Sequence, residues 1–171
     1  VYSDSHIGHA RTYISLDIIH RIMRNYLGYN LIVCQNITDI DDKIINKSNQ
    51  EKIPFQQLAR KYENDFFEDM EKLGVNYPDI LTRVSEYITE IIDYINGIIN
   101  KGFAYELNGS VYFDTEKFKL SGNIYGKLVP EQCGNSELLK EGEGSLTIQD
   151  KKRSESDFVL WKKTKDENLE P

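Results

Sequence analysis

The sequence predicts an α/β chain built on a parallel sheet, with helices and a β-hairpin following in sequence. Three observations carry this expectation: a helical apolar rhythm over residues 8–27, a β-branched run Leu31-Ile32-Val33-Cys34 directly after it, and an Asn108-Gly109 turn between two short alternating runs.

In residues 8–27 the apolar side chains Ile14, Leu16, Ile18, Ile19, Ile22, Met23 and Leu27 recur at spacings of three and four, and Gly28 stops the pattern. That is the signature of an amphipathic helix. The run at 31–34 is short and apolar, as in a strand covered on both faces of a parallel sheet. With a first strand at or before Val1-Tyr2, residues 1–37 make one right-handed βαβ unit. Helices follow: Asp39 or Asp41 can cap one through about Gln50, Pro54 can open another reaching Leu73, and 84–100 forms a third that Lys101-Gly102 stops. Ala104-Tyr105-Glu106-Leu107 and Ser110-Val111-Tyr112-Phe113 flank Asn108-Gly109, which supplies the two positive φ angles of a type I′ turn. Residues 115–156 are rich in Lys, Glu, Gly and Ser, which predicts a flexible tract centred on 118–150 and most loop-like at 133–144. Order is expected to return at Asp157-Phe158-Val159-Leu160-Trp161.

A composition of 39% hydrophobic and 29% charged residues over 171 positions is that of a soluble globular domain. No apolar run approaches the roughly 18 residues of a membrane helix, and no secretory leader pattern is visible, so a cytoplasmic location is expected. Residues 51–100 carry ten acidic against five basic side chains, within a net charge of -7. There is no basic stripe for gripping nucleic acid, so contact with a polyanion must be local or made by other polypeptide. Cys34 and Cys133 lie 99 residues apart with no partner at metal-ligand spacing, which reads as free thiols in a reducing compartment.

The chemistry is concentrated in two short stretches. His6-Ile7-Gly8-His9 falls where a strand would hand over to a helix, and unpaired N–H groups and the positive end of the dipole there favour a phosphate. Two imidazoles add directed donors, and Gly8 lets a flat ring or a phosphate approach the backbone. Such a site suits a reaction in which negative charge grows on phosphoryl oxygens. Considered alone, the two histidines read more readily as ordinary surface or core residues than as a phosphate site, and a zinc pair lacks a third ligand with a motif of its own. The second stretch is Gln35-Asn36-Ile37-Thr38-Asp39-Ile40-Asp41-Asp42-Lys43, with Thr38 at the carboxyl end of its strand, where open α/β sheets bind ligands. Asp39, Asp41 and Asp42 could hold a hard cation, yet acidic helix starts also arise from capping alone.

Taken in order, these stretches resemble the amino-terminal half of the catalytic domain of the cysteinyl-tRNA synthetases, a family of class I aminoacyl-tRNA synthetases. VYSDSHIGHART, a helix ending LGY, and NITDIDDKII carry the resemblance. Thr82-Arg83-Val84-Ser85-Glu86-Tyr87-Ile88 is similar to the family's R-A-T-E-H-I, and KGFAYELNGSVYFD to its K-G-x-A-Y-x-x-x-G-x-V-Y-F-D. Lys152-Arg153 with Asp157-Phe158-Val159-Leu160-Trp161-Lys162 is similar to K-R-x-P-x-D-F-x-L-W-K.

The resemblance implies a partial Rossmann-like parallel sheet of the HIGH type. Residues 1–50 would form the first half of the nucleotide-binding domain, 51–156 a connective-peptide-like insertion, and 157–171 the start of the return. It implies ATP-dependent ligation of L-cysteine to tRNA(Cys) through a cysteinyl-adenylate, with magnesium accompanying ATP. His6 and His9 match the histidines that hold the ATP phosphates and stabilise the transition state; Gly8 matches the glycine against which adenine lies, and Thr38 a threonine of the cysteine pocket. A family zinc ion ligates the substrate thiol, and its ligands would precede Val1 and follow Pro171, as would the second signature loop K-M-S-K-S after Pro171. By that reading the chain is a fragment, inactive alone, and none of its residues is a metal ligand. Two alternatives are a related cysteine ligase acting on a small sugar-amine acceptor and a paralogue that keeps the fold without catalysis.

Overall fold

Helix α1 (Ile7–Arg21) starts where His6 leaves extended backbone at φ -130° and ψ 173°, and His20 and Arg21 in its last turn oppose the negative end of its dipole. The computed structural model describes residues 3–130 and 152–163. A π-helical turn (Ile22–Tyr26) prolongs α1, and Gly28 at φ +71° ends it in the left-handed region, where a side chain would be strained. The helix is as expected, but Leu16, Ile18, Ile19 and Ile22 of its apolar stripe stay exposed among the described residues. What anchors α1 is polar and aromatic instead. Buried Asp17 accepts from Arg21 Nε (2.6 Å) and from the Asn76 N–H (3.1 Å), Arg21 Nη2 donates to the Gly74 carbonyl (2.6 Å), and Tyr13 meets Phe66 edge-on at 5.0 Å.

The chain forms two compact units, Val1–Ile88 and Thr89–Pro171. In the first, strand β1 (Cys34–Ile37) pairs in parallel with β2 (Ile80–Arg83), in the register Cys34↔Ile80 to Ile37↔Arg83. Parallel strands need a long crossover; here α2 (Asp42–Glu51) and α3 (Phe55–Lys72) supply it. Two expectations are corrected. The strand begins at Cys34, three residues after the start of the apolar run, and Val33 only half joins the ladder: its carbonyl accepts from the Ile80 N–H at 3.1 Å, but its own N–H goes to the Asp79 carboxylate at 2.8 Å. Nor is β1 covered on both faces: Cys34 and Asn36 are exposed while Ile37 is buried. Strand β2 was not foreseen, and the expected helix at 84–100 is a 3₁₀ turn (Val84–Glu86) followed by α4 (Ile88–Asn100). The first strand expected at or before Val1-Tyr2 lies outside the described residues.

Helix α2 is capped by Asp41, whose carboxylate accepts from the Lys43 N–H at 3.1 Å, and Pro54 precedes α3 as expected. Along α3, Leu58, Ala59, Tyr62, Glu63, Phe66 and Met70 are buried at spacings of one, three and four, so one face of the helix points inward. Leu58, Ala59 and Tyr62 meet Ile44 of α2 in a small core that Phe55 edges.

In the second unit the predicted hairpin forms with its expected limits, β3 (Ala104–Leu107) and β4 (Ser110–Phe113), with Asn108 at φ +52° and Gly109 at φ +86°. Strand β5 (Phe158–Trp161) adds antiparallel to β4, with an irregularity at Val111/Tyr112. At both of its described ends the stretch expected to be flexible is ordered. Asp114 caps a helix α5 (Thr115–Leu120), and 152–157 is held by hydrogen bonds to Asp157 and by those that Lys152 Nζ donates to the carbonyls of Glu155 and Asp157. Residues 133–144 lie outside the described residues.

Candidate active site

His6 and His9 form one interlocked pair at the start of α1. The His6 ring turns back over the first turn, and its Nδ1 accepts from the Gly8 N–H at 3.1 Å; the His6 N–H in turn donates to His9 Nδ1 at 3.2 Å. This is a capping box built from two histidines. The rings stack with centroids 4.0 Å apart at 29°, and His9 meets Phe66 of α3 edge-on at 6.4 Å. Both Nδ1 atoms act as acceptors, so each neutral ring carries its proton on Nε2 and keeps that N–H as a donor. The His9 pKa is lowered, first by burial and next by the neighbouring His6, which favours the neutral donor.

Gly8 lies against the ring of His6. A β-carbon there would stand 2.8 Å from His6 Cε1 and 3.0 Å from His6 Nδ1, so it is the protein's own ring that requires glycine. The Gly8 N–H is therefore occupied by His6 and is not left for a phosphate.

Thr38 directly follows the last residue of β1, at the carboxyl end of a parallel strand, as expected, and it is exposed. The three aspartates after it divide their work. Asp39 is 7% exposed and its carboxylate accepts from the N–H of Ser85 (2.9 Å) and from its hydroxyl, while Asp41 caps α2. Among the described residues no group of three or more His, Cys, Asp or Glu side chains could hold a metal ion, so the cation reading of these aspartates has no site; Cys34 is an exposed free thiol. Two buried polar atoms without a protein partner among the described residues adjoin the two motifs in sequence, Ser5 Oγ before His6 and Gln35 Nε2 in β1.

The model of the class I (C) tRNA synthetase catalytic domain matches residues 1–170. The chain belongs to this family. It is 57% identical over 168 residues to the cytoplasmic cysteine-tRNA ligase of Dictyostelium discoideum, covering 96% of this chain and 25% of that protein. It is 41% identical to the cysteine-tRNA ligases of Encephalitozoon cuniculi and Persephonella marina, covering 33% and 32% of their lengths and 97% and 96% of this chain. The chain thus spans about a quarter to a third of these curated relatives. No helix among its described residues is long and apolar enough to cross a membrane.

Two polar clusters of this chain were not foreseen. Buried Glu63 of α3 receives Arg83 Nε at 3.1 and 3.0 Å and Arg83 Nη2 at 2.7 Å, with Arg60 at 3.3 Å, which braces the end of β2 on α3. Arg83 also meets Glu86 at 3.1 Å, and its pKa is raised chiefly by Glu63. In the second unit Asp157, 1% exposed, accepts from the Tyr105 hydroxyl (2.8 Å), the Thr115 N–H and hydroxyl (both 2.9 Å) and the Ser154 N–H (3.1 Å). Arg153 lies 4.0 Å over the Tyr105 ring, whose hydroxyl pKa burial pushes up to about 12. An acidic residue with short hydroxyl and amide partners from three segments leaves no local spacing signal.

Proposed function

We propose that this chain is part of an enzyme that ligates L-cysteine to tRNA(Cys), consuming ATP through a cysteinyl-adenylate. The observation that carries the reading is the stacked His6–His9 pair locked at a helix start, in a chain whose relatives are named cysteine-tRNA ligases. In the proposed reaction the cysteine carboxylate attacks the α-phosphorus of ATP and pyrophosphate leaves; a ribose hydroxyl of tRNA then attacks the acyl carbon of the adenylate, losing its proton as AMP leaves. His6 and His9 present Nε2–H donors, beside the positive end of α1, to phosphoryl oxygens that gain charge in the first step. Gly8 serves by letting the His6 ring close, and Thr38 contributes its hydroxyl to the cysteine pocket.

Magnesium would accompany ATP as its counter-ion. Among the described residues no group of three or more His, Cys, Asp or Glu side chains fits the zinc that the family resemblance implies. Residues 1–50 belong by this reading to the nucleotide-binding half of the catalytic domain, 51–156 to a connective-peptide-like insertion and 157–171 to the return, and the enzyme works in the cytoplasm. A small sugar-amine acceptor finds no support in the relatives' names. Cysteine-dependent ATP–pyrophosphate exchange and tRNA(Cys) charging by the whole protein test the reading. Both are expected, with exchange by His9→Ala reduced at least about 100-fold; a whole protein that exchanges with cysteine but never charges tRNA would sink the proposed acceptor.

A further inference from the structure

We infer that Asp39 and Ser85 form a clamp that positions Thr38, and that the clamp tunes cysteine binding without touching the substrate. The inference rests on the proposed place of Thr38 in the cysteine pocket.

Thr38 stands between two fixed points. On one side is Ile37, buried and paired with Arg83 as the last rung of the parallel ladder. On the other is Asp39, whose two carboxylate oxygens take the N–H and the hydroxyl of Ser85, two residues beyond the end of β2. Both strands therefore leave the sheet tied to each other just where Thr38 emerges. The β2 side of the tie is itself immobilised, because Arg83 is bound through Nε and Nη2 to buried Glu63 on α3.

The clamp is a costly way to hold a loop. A buried carboxylate is desolvated, and an apolar contact at the same place would stabilise as well or better. What a two-point hydrogen bond adds is direction, and a ligand-contacting side chain must be held within about 0.5 Å of its working position. Asp39 is also turned inward, toward Ser85, so it serves the site through Thr38 and not as a ligand to substrate or cation.

The test uses the full-length protein and measures cysteine-dependent ATP–pyrophosphate exchange, with KM for cysteine and KM for ATP determined separately. Ser85→Ala removes one of the two bonds and is expected to raise KM for cysteine about tenfold, the loss typical of a hydrogen bond to a charged group. KM for ATP should stay within about twofold, and Ser85→Thr, which keeps the hydroxyl, should restore KM for cysteine. A folded Ser85→Ala protein with unchanged KM for cysteine, or with both KM values raised alike, overturns the clamp. Should Ser85→Ala fail to fold by far-UV circular dichroism, Asp39→Asn decides: it must raise KM for cysteine selectively, and an unchanged value overturns the clamp equally. Thr38→Ala separates the clamp from the reading beneath it. If the wild type shows no cysteine-dependent exchange, or Thr38→Ala leaves KM for cysteine unchanged, the pocket assignment fails and the clamp with it; if Thr38→Ala acts and Ser85→Ala does not, the clamp alone is wrong.

Discussion

The ring of His6 covers Gly8 so closely that a β-carbon on Gly8 would stand 2.8 Å from His6 Cε1. This reverses the usual sign of a glycine substitution in a helix. Gly97, inside α4 with nothing within 4 Å of an added β-carbon, should gain about 0.5–1 kcal/mol on Gly97→Ala. Gly8→Ala should instead lose about 1 kcal/mol, because the His6 ring must swing away and give up its cap on the Gly8 N–H. Thermal unfolding of the two variants beside the wild type measures both signs. A Gly8→Ala protein as stabilised as Gly97→Ala would show that the ring moves freely.

The same pair sets a titration. Burial and the nearby His6 lower the His9 pKa, so His9 is expected to protonate below the ordinary imidazole value of about 6.5. Replacing His6 by Ala removes the like-charge contribution and should bring the midpoint up, though not fully, since burial remains. Carbon-detected titration of the His9 Cε1 resonance reads this directly. The linkage has a definite sign: between its lowered folded pKa and about 6.5 the unfolded chain binds more protons, so His9 contributes stability at higher pH and loses it as pH falls through that window. A His9 midpoint at or above about 6.5 would contradict the stacked geometry.

How much of this was legible in the sequence depends on how local the cause is. The hairpin was readable to the residue because Asn108 and Gly109 alone decide its turn. The stop at Gly28 was readable for the same reason, and the α2 cap was narrowed to Asp39 or Asp41, of which Asp41 serves. Strand β2 was not, since Ile80–Arg83 gains its order from pairing with β1 across two helices, and its polar Thr82 and Arg83 mask any apolar run. At the start of β1, Asp79, 46 residues from Val33 in sequence, captures the Val33 N–H that a longer strand would have used. At the site the spacing of His6, Gly8 and His9 was plain, whereas the reason for Gly8 required the rotamer of His6, and the inward turn of Asp39 required Ser85.

Asp157 should be the most sensitive position of the second unit. Asp157→Ala would leave the Tyr105 hydroxyl, the Thr115 N–H and hydroxyl and the Ser154 N–H without their shared acceptor. Each buried donor left unpaired costs about 1–3 kcal/mol, so the hairpin sheet should lose β5 and the Thr115 amide its exchange protection. Native-state hydrogen exchange at Thr115 and across Phe158–Trp161 reads the effect, and unchanged protection there would show that other contacts hold the strap. Tyr105 adds an alkaline signature. With its pKa raised from about 10 to about 12, it contributes stability that is whole below pH 10 and lost as pH rises through 12, and Tyr105→Phe should remove that limb.

Glu63 and Arg83 tie α3 to the end of β2, and the pair is far from symmetric toward mutation. Glu63 is buried and holds Arg83 through two nitrogens. Glu63→Gln would leave the Arg83 guanidinium, 19% exposed, with Glu86 at 3.1 Å as its remaining carboxylate and beside a neutral amide whose NH2 is a donor facing donors. The expected loss is about 3–5 kcal/mol, as for other buried pairs stripped of one charge. Arg83→Met strips the cation and leaves Glu63 with Arg60 as a partner at 3.3 Å, so it should cost less. Arg60→Ala, on the exposed rim of the same cluster, should cost about 1 kcal/mol or less and weaken with salt, because exposed pairs are screened. Urea unfolding of the three variants at low and high salt measures the order Glu63→Gln, Arg83→Met, Arg60→Ala. If Arg60→Ala proved as damaging as Glu63→Gln, the exposed rim and not the buried pair would be what joins α3 to the sheet.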